Sequence, residues 1–358
     1  MKRVLICVAL GAWVCSGFAM SAWDLYMQLL AEKARAEKGT IFTYAMPETW
    51  ANYGSVFARL AVLYGIVQED IDMGSAVVLA RMTEEGASKN DLADLKPGHA
   101  IMLAARGLTS SYCVSCWDAL PENQRGVDSN TGSVWYVAYW GTLGFLVNLD
   151  LVKHMPRSWK DLLEYAQEYR GLIEYMDPRA TATGINTVEA AAYAVSGDPF
   201  NYVAGVDFLK KLHDAGAVGA VSPLVTVARW QRGEIAILIN WDYNLLKWKE
   251  ENPEINAAVI IPEDGTVAVG YSVIMAKNPP HPYTAILALE FILCGEGQRL
   301  FAEGFAHPVN PRVAIPEEIK AKFPPEDAYK NVIFIDYFKE MEIIPALQEY
   351  YGKIIFGG

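Results

Sequence analysis

The segment Glu174 to Gly184, E-Y-M-D-P-R-A-T-A-T-G, with the helix-like N-T-V-E-A-A-A-Y-A-V just beyond it, constrains this chain more than any other. An apolar approach, an Asp-Pro stop and a turn of small, hydroxyl-bearing residues opening a helix describe a strand end whose loop offers unpaired backbone N–H groups. Such a loop reads as a binding element rather than a catalytic one. The same strand, turn and helix order appears at Gly39 to Met46 followed by Thr49 to Tyr64, where Val56, Leu60 and Leu63 share a face. It appears again in I-D-M-G-S-A-V-V-L-A-R-M, which turns at Gly74-Ser75.

Further along, Val134 to Leu149 is apolar, aromatic and rich in strand formers, and Ser158 to Tyr169 opens with a Ser cap and Asp161 three residues on. Strands are expected at Leu172 to Met176, Glu234 to Asn240, Ala257 to Ile261 and Val267 to Met275. Helices are expected at Val206 to Asp214, Val225 to Gln231 and, as one long element, Thr284 to Glu303. The alternation predicts an α/β fold with mainly parallel sheets.

The first 22 residues carry Lys2 and Arg3, an apolar run from Val4 to Val14, and small residues at Gly17, Ala19, Ser21 and Ala22, the pattern of an export signal. Cys15 follows Ala12-Trp13-Val14, a poor match to a lipid-attachment box. No later stretch reaches about 18 uninterrupted apolar residues. The remainder of the 358-residue chain is long enough for two domains. With 30 Lys and Arg against 42 Asp and Glu, the chain is acidic, which argues against nucleic acid and against an anionic membrane surface as partners.

Beyond the signal the cysteines are Cys113, Cys116 and Cys294. In an oxidising compartment the C-V-S-C spacing can close a local disulfide, while a zinc site lacks a second ligand pair. The setting favours a structural or free pair over a redox-active one. The five His are scattered, with no H-E-x-x-H.

Five motifs in order carry a resemblance: W-x-D-L-L at Trp159 to Leu163, D-P-R-A-T-A-T-G at Asp177 to Gly184, G-E-I-A-I-L-I-N-W at Gly233 to Trp241, P-E-D-G-T at Pro262 to Thr266, and N-P-P-H-P-Y-T-A with G-E-G-Q-R-L-F-A-E-G between Asn278 and Gly304. From about Gly39 to Pro311 the chain resembles the solute-binding proteins of bacterial ABC importers, within the group that takes ferric ion, thiamine, polyamines and aminophosphonates. The resemblance implies a two-lobed periplasmic-binding-protein fold of type II with two interlobe crossovers. Mapped here, residues 23–144 plus 271–312 form lobe 1, 145–270 form lobe 2, and 313–358 are a tail packing on a lobe. It further implies a monomer, periplasmic or extracellular, that holds a small-molecule ligand in the cleft and delivers it to an ABC permease, with no cofactor.

Two clues bear on the ligand. Ser75 and the turn Asp177, Thr181, Thr183 and Gly184 are helix-opening hydroxyl sites that suit an anion. Trp241-Asp242-Tyr243, with Trp135, Tyr136, Tyr139 and Trp140, places a carboxylate beside aromatic faces, the surroundings of an amine cation. Tyr271, at the expected return to lobe 1, completes the candidate set. The leading expectation is a small organic solute, zwitterionic or amine-bearing, with its cation at Asp242. Ferric ion is the alternative, although relatives that bind it would carry adjacent tyrosines where this chain has Trp241-Asp242-Tyr243. A secreted enzyme is the remaining class, and no nucleophile elbow, zincin motif or phosphate loop supports it.

Overall fold

The computed structural model describes residues 21–224 and 226–357. The export signal expected at 1–22 lies, but for its last two residues, outside them. Ser21 caps the helix Ala22–Ala36, its Oγ accepting the Asp24 N–H at 3.0 Å while Asp24 bonds back.

The strands, in chain order, are β1 (Thr40–Tyr44), β2 (Val67–Ile71), β3 (Leu92–Leu95), β4 (Arg125–Val127), β5 (Val134–Asn148), β6 (Ile173–Met176), β7 (Val218–Ser222), β8 (Ile237–Trp241), β9 (Ala257–Ile260), β10 (Thr266–Met275), β11 (His307–Pro308) and β12 (Val332–Phe334). The main sheet path is β2-β1-β3-β10-β5-β8-β6-β7. Its ends, β2-β1-β3 and β8-β6-β7, are parallel. The central β10 and β5 run antiparallel to their path neighbours, so the expected mainly parallel sheet is corrected to a mixed one. The reason is chain path: alternation fixes direction only for strands joined by one crossover helix, and β5 and β10 reach their places through longer excursions.

The fold is two-lobed, and β5 makes the first passage between the halves. Thr142 pairs with Ala268 of β10, and the next residue, Leu143, pairs with Trp241 of β8. The return falls just before Thr266, where β9, paired to the far end of β5, hands over to β10. Every residue of β10 is buried, as is β5 apart from Trp140, so both read as continuous apolar runs. At the switch the absence of a side chain on Gly141 is required, because a Cβ there would lie 2.5 Å from the Tyr243 ring.

The tail does more than pack on one side. Its 20-residue helix Tyr337–Phe356 lies against the helix Tyr202–Asp214 of the second half and the helix Pro97–Ala105 of the first.

Three local expectations are corrected. The long helix at Thr284 to Glu303 is two, Pro282–Cys294 and Gly297–Glu303, because Gly297 packs so close to the Ile292 backbone that a Cβ would meet its Cα at 2.6 Å. The helix expected from Val225 begins at Ala228, and Val225 itself lies outside the described residues. Cys116 does not pair with Cys113. It is bonded to Cys294, whose Cα lies 5.4 Å away, while Cys113 is free and exposed.

Candidate functional site

The C-terminal ends of β3 and β8 converge with the middle of β5 and β10 on the seam between the halves, the place where α/β lobes expose strand ends and helix starts. On the first half, Tyr139 of β5 and Tyr271 of β10 are ladder partners whose rings stack at 5.6 Å. Trp50 meets Tyr271 edge-on at 5.5 Å, and its Nε1–H donates to the Tyr139 hydroxyl at 2.7 Å. The second half contributes Trp241 and Tyr243, stacked on each other at 6.3 Å. Tyr243 meets Trp50 at 5.6 Å and Trp241 meets Tyr271 at 6.3 Å. Five rings from the two halves therefore form one aromatic cluster across the seam.

Asp94, in β3, lies at the base of this cluster. Its Oδ2 accepts the hydroxyls of Tyr53 at 2.6 Å and Tyr139 at 2.8 Å. Burial pushes its carboxyl up to about 7, partly offset by those two bonds. The same burial, with the Asp94 charge adding to it, holds the Tyr53 and Tyr139 hydroxyls well above the usual tyrosine range.

Two residues on, Lys96 caps the helix Pro97–Ala105 and is buried. Its Nζ forms an ion pair with Glu340 of the C-terminal helix and donates to Asn186 Oδ1 at 3.2 Å. Asn186, on the helix Ala182–Ser196 of the second half, donates to Glu340 at 2.7 Å and also bonds Glu189. Burial, then the neighbouring Glu340 charge, raises the Glu189 carboxyl well above the ordinary range. Two buried polar atoms near the seam, Ser272 Oγ and Asn240 Nδ2, have no partner in the structure, while the Glu189 carboxyl lies against Glu340 and the Tyr243 hydroxyl against Tyr271. A cavity of about 150 Å³ lined by Thr49, Ala51 and Asn52 on one side and Tyr243, Asn244 and Lys247 on the other opens beside Tyr243.

The residues singled out from sequence fall into three groups. Thr183, Trp241, Tyr243 and Tyr271 gather at the seam, with the Trp241 Nε1–H donating to Thr183 Oγ1 at 3.1 Å. Ser75 adjoins it, its Oγ accepting the Lys96 N–H at 3.1 Å. Asp242 is fully buried behind the seam: Oδ1 accepts the Thr142 and Tyr243 N–H groups, each at 3.0 Å, and Oδ2 bonds His307 Nε2 at 2.6 Å and the Tyr329 hydroxyl at 3.1 Å. Its ionisable partner is thus His307. Trp140 points to the opposite face of β5 and stacks on His307 at 3.9 Å.

The Asp177–Gly184 loop is knitted internally. Asp177 pairs with Arg179 at 2.7 Å, Thr181 caps the helix by accepting the Gly184 N–H at 3.0 Å, and Gly184 abuts the Asp177-Pro178 backbone. The C-terminal helix covers this loop through Gln348, which donates to the Pro178 carbonyl at 3.0 Å. Sequence reasoning passed over Trp50, Asp94, Lys96, Asn186, Glu189 and Glu340. One signal was present: in D-L-A-D-L-K-P-G, Asp94 and Lys96 are charges on one face at the end of an apolar strand, just before a helix-opening Pro.

A two-lobed α/β fold with strand ends and unpaired polar groups meeting at an interlobe seam is that of a ligand-binding receptor. The chain belongs to the bacterial extracellular solute-binding protein family, whose profile matches residues 102–337. It is similar, at 24% identity over 246 residues (67% of this chain and 68% of the other), to a protein of Salmonella paratyphi A named as a candidate 2-aminoethylphosphonate-binding periplasmic protein. Among solved structures it shares its fold with the fructose-6-phosphate-bound periplasmic binding protein AfuA of Actinobacillus pleuropneumoniae, at a TM-score of 0.72 and 19% identity, covering 90% of this chain and 100% of that one. A GABA receptor shows the same fold at a TM-score of 0.70 and 15% identity, covering 89% and 99%. The family and these neighbours are binding proteins. Among the described residues no group of three or more His, Cys, Asp or Glu is placed to hold a metal ion, and no helix is long and apolar enough to cross a membrane.

Proposed function

We propose that this protein, exported from the cytoplasm, captures a small organic solute carrying charged groups in the seam between its halves and presents the closed complex to an ABC permease. The observation that carries the reading is the concentration of buried polar and aromatic side chains that both halves bring to that seam: Asn186, Glu189, Trp241 and Tyr243 from one, Trp50, Asp94, Lys96, Tyr139 and Tyr271 from the other, with Asn240 Nδ2 and Ser272 Oγ left without partners. Leaving a buried polar atom unpaired costs about 1–3 kcal/mol, so Asn240 Nδ2 and Ser272 Oγ are expected to have partners in the working protein. The aromatic cluster supplies apolar enclosure, and the cavity beside Tyr243 is the natural approach. The 2-aminoethylphosphonate in the name of the Salmonella relative is a solute of this kind, an amine and an anion on a short chain.

In this reading the moving bodies divide at the two passages, between Thr142 and Leu143 and just before Thr266, a few residues from the bounds expected from sequence, with the tail laid across both, and the monomer closes on its solute. The test is mass spectrometry of what denaturation releases from the purified protein, joined to small-angle scattering before and after the released solute is returned. A small organic molecule that lowers the radius of gyration is the expected result. Iron with a tyrosinate colour would favour the ferric alternative, and a protein that neither releases nor closes on any solute would overturn the proposal.

A further inference from the structure

We propose that Asp94, with the aromatic faces of Trp50, Tyr139, Tyr271 and Tyr243, is the subsite for an ammonium group, so that the captured solute is an amine. This deepens the solute-binding reading and rests on it. Asp94 is buried and bonded only to two tyrosine hydroxyls; no Lys, Arg or His pairs with it among the described residues. A carboxylate in such a place is costly unless a cation joins it. The surrounding Trp and Tyr faces are the surfaces that attract a cation electrostatically, and more strongly once water is excluded.

Charge at the seam points the same way. Of the buried carboxyl groups here, Glu340 already engages the one buried ammonium, Lys96, and burial with the Glu340 charge raises Glu189 well above the ordinary range, which leaves Asp94 as the carboxyl without a cation. Asp242, the other carboxylate near these rings, has both oxygens occupied by four donors and offers a cation nothing further. Because Trp50, Tyr139 and Tyr271 belong to one half and Tyr243 to the other, a cation seated on Asp94 contacts both, so binding and closure are linked. Burial holds the Asp94 carboxyl near 7, so the empty protein keeps it partly neutral at physiological pH and an arriving ammonium draws it into the ionised form.

The experiment uses the full mature chain, its Asp94→Asn variant and, should that variant melt non-cooperatively, Trp50→Leu at the partly buried ring. Solutes released by denaturation are identified by mass spectrometry. Calorimetry then measures binding of the released solute and of matched probes with and without the amine: 2-aminoethylphosphonate against ethylphosphonate, 4-aminobutyrate against butyrate, and putrescine and choline. An amine in the released material or among the bound probes is expected, with no binding of its amine-free counterpart and a loss of roughly 30-fold or more in a folded Asp94→Asn protein. A bound solute without an amine, or an amine bound equally by wild type and a folded variant, overturns the ammonium subsite and leaves solute capture standing. A folded wild type that releases nothing and binds no probe overturns both.

Discussion

Lys96 at the end of β3 and Glu340 of the C-terminal helix form a buried ion pair, and Asn186 of the second half bonds to both. Beyond the two strand passages and the ring contacts across the seam, the halves are therefore joined by a polar link that the last helix inserts. Most of that helix lies past the region matched by the family profile.

Removing one member of such a pair strands the other in a dry site, which typically costs about 3–5 kcal/mol. Glu340→Gln is expected to lower the melting temperature markedly and, in the solute-free protein, to raise the radius of gyration as the halves part. Glu342→Gln, at an exposed position on the same helix, is the control expected to do neither. A Glu340→Gln protein as compact and as stable as wild type would remove the helix from any role in holding the halves together.

The Cys116–Cys294 bond joins residues separated by 178 positions. Restricting so long a loop in the unfolded chain has an entropic ceiling of about 5 kcal/mol, although measured values commonly fall short of it. Cys294→Ser, or reduction, should lower the melting temperature by several degrees or more, and Cys113→Ser should leave it unchanged. Equal effects of the two substitutions would contradict the pairing.

The raised Asp94 carboxyl sets a pH dependence with a definite sign. Its ordinary value of 3.8 is lifted to about 7 in the folded protein, so between those limits the native state holds a proton the unfolded state has lost. Stability from this group is present in full below about 4 and declines as pH rises towards 7. The groups facing it are Tyr53 and Tyr139, which donate to it, and Tyr243 and Tyr271, whose hydroxyls its charge raises, with Asp70 further off adding to the upward shift. Denaturant titrations from pH 4 to 8 should show this decline in wild type and a flatter profile in Asp94→Asn. Affinity for an amine should move oppositely, strengthening as pH rises through 7 with release of a proton.

The sequence revealed much of the scaffold and only part of the site, and the reasons are physical. Capping at Ser158 and Asp161, the strands β6 and β10, and the helix opened by Thr181 rest on local rules and appear where expected. Trp241, Tyr243 and Tyr271 were visible because aromatics at a strand end are unusual enough to mark it. Asp94 and Glu340 were not, because their meaning depends on Tyr139 and Lys96, brought to them from 45 and 244 residues away. The Cys116–Cys294 bond was hidden for the same reason: sequence spacing favours the neighbour three residues off, whereas the fold sets Cys294 beside Cys116. At Asp177 to Gly184 the same pattern suits a ligand and a helix cap, and only the bonds from Thr181 to Gly184 and from Arg179 to Asp177 display the cap.

Asp242 is the residue for which sequence and structure lead to different experiments. A carboxylate between Trp241 and Tyr243 invites an ammonium, yet its four hydrogen bonds go to Thr142, Tyr243, His307 and Tyr329, tying the strand switch of β5 to β11 and the tail. Asn at this position keeps one acceptor and turns the other towards a donor, so at least one of these bonds becomes a clash of donors in a fully buried site. The expected cost is roughly 1–3 kcal/mol of folding stability. Asp242→Asn should therefore lower the melting temperature of the solute-free protein while the stabilisation on adding solute stays near its wild-type size. Asp94→Asn should show the reverse, a small change without solute and the loss of most of the solute-induced shift. An Asp242→Asn protein with an unchanged melt and no response to solute would return the cation to Asp242 and assign Asp94 to the core.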